Sequence, residues 1–203
     1  MKIISLLISV CLTASLCFSQ VTLSLLNGKK LTLESYVLHE KEKSIEYNYK
    51  KNNGKIKKSY SDFLDIYSLN DSGSEKIFYF PEDEFSYSIE EMGKIVFGSQ
   101  KATMEYKPWW AFVAGVAVGG SAFWIPSNYA KIIIPIGYIG GMAFVKPLKY
   151  NIYKRYPDFA NDKSFIFGYQ RTGRIKIIKN TTFGVISGII ISGITIGSLS
   201  LVK

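Results

Sequence analysis

His39 is the only histidine in the 203 residues, and it acts as a general base or a metal ligand only with partners beside it. No cysteine pair or second histidine is spaced to complete a zinc site with it. Cys11 and Cys17 lie in an N-terminal apolar run that reads as a removable export signal. On that reading disulfide, thiol and thiolate-metal chemistry leave the chain together. Glu82-Asp83-Glu84 offers oxygens to a cation but lacks the alternating ligands and the glycine of a calcium loop, so it reads as a solvated turn. Tyr47, Tyr49, Tyr60, Tyr67 and Tyr79 fit cross-strand aromatic pairing better than a binding platform. The residues thus predict no catalytic group, no metal site and no cofactor, and a chain that is not an enzyme.

What the spacing does offer is close packing. Gly115 and Gly119, Gly137 and Gly141, Gly184 and Gly188, and Gly193 and Gly197 form four pairs at i and i+4, with Gly140 widening the second. On a helix each pair makes a groove that another backbone can enter, and such contacts hold helices together where no hydrophobic exclusion acts. The expectation is that Gly115 and Gly119 face Gly137, Gly140 and Gly141, with 126–131 as the turn between them.

These glycines sit in three uncharged apolar stretches, 109–125, 132–145 and 183–202. At 1.5 Å per residue they reach about 25, 21 and 30 Å, against a hydrocarbon core of about 30 Å. The middle stretch is short and holds Pro135, so it must borrow length from its flanks. Trp109, Trp110 and Trp124 stand at the ends of the stretches as an aromatic belt would. A proton-coupled pathway normally needs ionisable groups inside the bundle, and none is present in these stretches.

Residues 1–19 have a short cationic start, an apolar middle and small residues, Cys17 and Ser19, at the cleavage site of a secretory signal. Beyond them the charge is divided unevenly. Residues 20–107 hold 13 Lys/Arg against 14 Asp/Glu, whereas 108–203 hold 11 against 2. The basic excess accompanies the apolar stretches, which points to lipid headgroups and away from nucleic acid. Lys146, Lys149, Lys154 and Arg155, interleaved with Tyr150, Tyr153 and Tyr156, read as an interfacial segment. Three spans after a cleaved signal would leave the basic loop 146–182 outside, against the positive-inside rule. Three resolutions stay open: the middle segment does not cross, the membrane is an outer membrane, or the loop is ordered and exported despite its charge.

From Val21 to Phe80 apolar residues alternate in short runs separated by Asn27-Gly28, Asn52-Asn53-Gly54 and Asp71-Ser72-Gly73. Five or six strands with such turns predict a small antiparallel barrel or strongly twisted meander. Ser88 and Glu91 form a capping box, and Ile89, Met92 and Val96 recur at helical spacing, so 89–105 reads as an amphipathic helix. The expected organisation is α+β: a signal peptide 1–19, an exported β-rich domain 20–107 ending in that helix, and a membrane domain 108–203 of three glycine-rich helices, about 109–125, 132–145 and 183–202.

The chain resembles an uncharacterised family of exported membrane proteins from Bacteroidota. The likeness is carried by Leu26-Asn27-Gly28-Lys29-Lys30-Leu31, Asp62-Phe63-Leu64-Asp65-Ile66-Tyr67-Ser68-Leu69, Ser88-Ile89-Glu90-Glu91-Met92, Phe97-Gly98-Ser99-Gln100-Lys101-Ala102 and Tyr106-Lys107-Pro108. Where that family often reads Asp-Ala, this chain has Lys101-Ala102. The resemblance implies a small β-domain ahead of membrane helices and no activity. The expected role is a structural or interaction component of the cell envelope, with the lipid bilayer and a protein partner or second copy as partners; the alternative is a channel or transporter component.

Overall fold

The structure is a computed structural model that describes residues 20–51, 53–126 and 128–201, the side chains of 123, 128 and 196–201 excepted. The expected export signal lies outside the described residues. The chain divides into two compact units, at Ile89/Glu90 rather than at the expected 107/108.

The first unit is a six-stranded antiparallel sheet of β1 (Val21–Leu25), β2 (Lys30–His39), β3 (Ser44–Lys50), β4 (Ile56–Asp62), β5 (Ile66–Asp71) and β6 (Ser74–Ile77), in the order β4-β3-β2-β1-β5-β6. The expected barrel is corrected: the sheet is not closed, and β4 and β6 remain its edges. All four residues of β6 are exposed, and β4 presents Lys57 and Lys58. Charged, short edges of this kind do not pair with one another. Between β4 and β5 the chain crosses through a 3-10 turn, Phe63–Asp65. The Phe63 N–H bonds to the Lys43 carbonyl at 2.8 Å, and the Asp65 carbonyl accepts from Leu26 at 2.9 Å.

One face of the sheet buries Leu23, Leu25, Leu33, Ile45, Tyr47, Ile66 and Leu69. In β2 the alternation slips: Leu31 and Leu33 pack toward the core, then Tyr36 and Leu38. Glu34 is the cause, since Leu33 pairs with Tyr49 and Ser35 with Asn48, leaving Glu34 without an opposite number. Tyr67 is the equivalent extra residue in β5, between Ile66 opposite Leu25 and Ser68 opposite Ser24. Bulges raise the local twist, which lets a single sheet curl over its own apolar face. Each fully buried Leu or Ile there contributes about 2 kcal/mol.

The turns differ in kind. Gly28 alone supplies positive φ (79°) between β1 and β2, with its N–H on the Leu25 carbonyl and the Asn27 side chain accepting from Lys29. Gly54 (φ 78°) repeats that arrangement with Lys51, Asn53 and Lys55. Between β5 and β6 both Ser72 (φ 56°) and Gly73 (φ 87°) are left-handed, the two-residue turn that matches strand twist.

The second unit is helical: α1 (Ile89–Glu105), α2 (Trp109–Ser121), a 3-10 turn Ala122–Trp124, α3 (Asn128–Met142), α4 (Lys149–Arg155), a 3-10 turn Pro157–Phe159, and α5 (Lys163–Leu201). The loop expected over 146–182 is corrected, because its second half is helix. α5 has 39 residues, about 58 Å of axis. Asp162 starts it by accepting the Phe165 N–H at 2.9 Å. Phe165, Tyr169, Gly173, Ile177 and Thr181 are buried at every fourth position, and the basic residues lie between them. Charge hid a helical stripe.

Among the described residues one helix, α5 over Lys163–Thr195, is long and apolar enough to cross a membrane. The other two expected spans are corrected to shorter apolar helices. α2, with 13 residues, reaches about 20 Å, and α3, with 15, about 22 Å. The 3-10 turn Ala122–Trp124 ends the first, and the chain leaves the second after Met142.

Candidate functional site

α1 and α2 run one after the other along α5, parallel to it. Ser99 donates to the Gly168 carbonyl at 3.1 Å, Asn180 to Pro108 at 3.1 Å and Ser192 to Gly120 at 3.1 Å. The last two bonds join residues the same 72 positions apart, as parallel helices in constant register require. Glycines make this approach feasible. A Cβ on Gly115 would sit 2.6 Å from the Thr181 carbonyl oxygen, and one on Gly188 would sit 2.7 Å from the Gly120 nitrogen. At Gly119 and Gly184 it would overlap the carbonyls of Val185 and Phe112. Gly98 and Gly168, absent from the sequence-derived set, meet Phe165 and Ile95 in the same way on α1.

The expected partner of Gly115 and Gly119 is therefore corrected. They face Gly184 and Val185 on α5, and a Cβ on Gly137, Gly140 or Gly141 would meet nothing within 4 Å. Parallel strands of a pattern cannot be matched from spacing alone, because every i, i+4 groove looks alike. Gly193 is half-buried, and the surroundings of Gly197 lie outside the described residues.

α1 ends before Pro108, whose ring disfavours helix at the preceding residue. The carbonyls at this end are capped by Lys176 of α5, which donates to Ala102 (3.0 Å), Thr103 (2.5 Å) and Tyr106 (2.9 Å). A cation at a helix C-terminus also opposes the negative end of the dipole. At this elbow opens a cleft of about 660 Å³ lined by Lys107, Trp109, Phe112, Lys176, Lys179 and Phe183 among others. The sequence signal was present though unread: Lys107 and Lys179 each stand just ahead of an apolar stretch.

The expected interface residues do not share one level. Trp109 and Trp110 are exposed at the elbow and Trp124 at the far end of α2. Lys146, Lys149, Lys154 and Arg155 are exposed as well. α4, however, leads away from the elbow: Pro147 accepts from Gln170 at 3.0 Å, and Ile152 packs with Phe165 and Tyr169. From Tyr169 to Phe183 the helix axis covers about 21 Å. Arg155 also pairs with Glu105 at 3.6 Å.

α4 covers an aromatic cluster that spacing did not reveal. Phe165 lies between Phe97, Phe159, Tyr156 and Tyr169, the Phe159 ring stacked at 4.6 Å. Burial, then the neighbouring Glu105 carboxylate, pushes the Tyr156 phenol well above the usual tyrosine range. The cluster reads as a core, with Lys101 over the Phe97 and Tyr156 rings.

In the sheet unit, a cleft of about 470 Å³ is bordered by Leu26, Phe63, Leu64, Phe78, Phe80 and Ser86 among others. Leu64 and Phe80 are each 78 % exposed, and Phe85 nearby is 96 % exposed. Asp83 of the acidic run accepts from Phe85 N–H at 3.1 Å and Ser86 Oγ at 2.8 Å, so that run is a closed turn. His39 is half-buried at the end of β2, opposite Ser44. The tyrosines serve structure: Tyr36 donates to Asp71 at 2.7 Å, Tyr79 to the Tyr87 carbonyl at 2.8 Å, and Tyr47 stands opposite Tyr36 across β2 and β3 while its ring contacts Tyr49 along β3. Among the described residues no group of three or more His, Cys, Asp or Glu could hold a metal ion.

No protein-family model matches the chain, and neither a curated protein nor a solved structure does.

Proposed function

We propose that the chain is a membrane-anchored component of the cell envelope whose sheet unit binds a protein, either another chain or a second copy of itself. The observation that carries the anchor is the uncovered apolar surface of α5. Phe183, Ile186, Ile190 and Ile194 recur at helical spacing and are 48–67 % exposed, and only 28 % of the helix's most apolar window is buried. A core helix of a soluble protein would hide that strip, and exposed apolar surface of this extent marks lipid or a partner. α3 adds Ile132, Ile133 and Ile136 to it.

The anchor has one long helix with a shorter pair beside it. Tyr138, Met142 and Val145 pack with Ala111 and Ile177, so α3 returns to the elbow from which α2 departs. On this reading the α2–α3 pair enters the apolar layer and comes back, while the basic region 146–182 stays on the side of α1. That favours the reading in which the region is ordered and exported despite its charge. In the sheet unit the exposed Leu64 and Phe80 at the cleft, with exposed Phe85 next to its Ser86, support a protein-binding role, since large exposed apolar side chains beside a cleft mark a surface that a partner covers.

Alkaline extraction of membranes from cells expressing the full chain, followed by in-membrane cross-linking, tests both parts. The expected outcome is retention in the membrane and a stoichiometric cross-linked partner that is lost in Phe80→Asp with Phe85→Asp. Release by alkali removes the anchor reading, and a partner held equally by the double variant removes the binding surface.

A further inference from the structure

We infer that the elbow cleft between α1, α2 and α5 holds the phosphate of an anionic phospholipid, with an acyl chain running along the Phe183 strip of α5. The inference rests on the membrane reading above. Three lysines and no carboxylate line the cleft. Lys176 is fixed by three backbone carbonyls, which orient its ammonium without neutralising it. Lys107 and Lys179 have no carboxylate within ion-pair distance among the described residues, and Lys179 sits 5.9 Å from the Phe183 ring centre. Like charges converge here with nothing of opposite sign, which is the complement of an anion.

The walls decide what kind of anion. Trp109, Phe112 and Phe183 make the other side of the cleft apolar, and Phe183 continues into exposed Ile186, Ile190 and Ile194. Free phosphate would meet only the cationic side. A glycerophospholipid meets both, with its phosphate toward Lys107 and Lys179 and its chain on the isoleucine strip. The height agrees, because the cleft marks the point where the polar half of α5 gives way to its apolar half, the depth at which headgroups lie.

Native mass spectrometry of the full chain released from bilayers of mixed phosphatidylglycerol and phosphatidylcholine provides the test. Wild type is compared with Lys107→Gln/Lys179→Gln and with Lys149→Gln/Lys154→Gln, which removes the same charge from α4. Wild type and the α4 pair should retain phosphatidylglycerol in preference to phosphatidylcholine, and the cleft pair should lose that preference by roughly tenfold. Added inorganic phosphate should not displace the lipid. Equal retention by wild type and cleft pair, equal loss in the α4 pair, or displacement by inorganic phosphate each overturns the inference. Resistance to alkaline extraction from vesicles of phosphatidylcholine alone is scored on the same samples. A wild type that inserts yet shows no lipid preference sinks the cleft only, whereas one that fails to insert sinks the membrane reading and the cleft with it.

Discussion

Lys176 donates from its ammonium to the carbonyl oxygen of Tyr106 at 2.9 Å, so a cation on one helix closes the end of its neighbour. With the bonds to Ala102 and Thr103, this side chain caps the last turn of α1, where the Ala102 carbonyl also accepts from the Tyr106 N–H at 3.1 Å. Lys176→Gln keeps a donor but loses reach and charge, and should cost about 2 kcal/mol. Thermal unfolding in detergent checks this, with Lys179→Gln as the reference that leaves the cap intact. Equal midpoints for the two variants would show that the cap contributes nothing.

The glycines should separate by position. Gly168→Ala and Gly119→Ala each drive a methyl into a backbone carbonyl of the facing helix, where rigid neighbours make overpacking cost about 1–3 kcal/mol. Gly137→Ala meets open space and should be neutral or gain up to about 1 kcal/mol from helix propensity. Unfolding midpoints of the three variants give the ranking, and a Gly119 variant as stable as the Gly137 one would refute the register of α2 on α5.

Asp162 should make the helical unit sensitive to acid. Burial alone would raise its carboxyl, but the Phe165 N–H and the Lys94 ammonium at 3.3 Å overcome that and hold it below the usual carboxylate range. A depressed folded pKa contributes stability that is present above the unfolded value, about 4, and is lost as pH falls through the folded one. Asp162→Asn retains a capping side chain and removes the charge. Its unfolding midpoint should therefore fall less than that of wild type between neutral pH and about pH 3; parallel curves would exclude the pair as an acid-labile contact.

The boundary at Ile89/Glu90 makes a prediction about fragments. Residues 20–88 should be soluble and give a mainly β circular dichroism spectrum. Residues 20–107 should associate or aggregate, because α1 would expose Ile95 and Ala102, which are buried against α5 in the intact chain. Size-exclusion chromatography of both fragments distinguishes the outcomes, and a monomeric 20–107 would restore the later boundary.

Local chemistry was legible where one residue type suffices. Asn27-Gly28 and Ser72-Gly73 carry their turns in their own backbone freedom, the alternation of Val21, Leu23 and Leu25 marks a strand with one buried face, and 89–105 shows its helical period. Two bulges escaped because Glu34 and Tyr67 are ordinary strand residues, and only the register opposite them leaves one unpaired. That register also decides whether a twisted sheet closes, so barrel and open sheet were indistinguishable from alternation.

In the helical unit the residues themselves determined that glycine grooves exist and that the basic charge sits beside apolar helices. Which groove fills which, and that α5 begins twenty residues before its apolar stretch, at Lys163 rather than 183, was decided by tertiary structure. A groove is defined by one helix but its occupant by two, and Gly98, Gly168 and Lys176 gain their roles only from backbone that lies about 70 positions away. The elbow cleft follows the same rule. Lys107 and Lys179 are unremarkable flanking residues in sequence, and they become a single cationic surface because Pro108 ends one helix where Asn180 of another is there to receive its carbonyl.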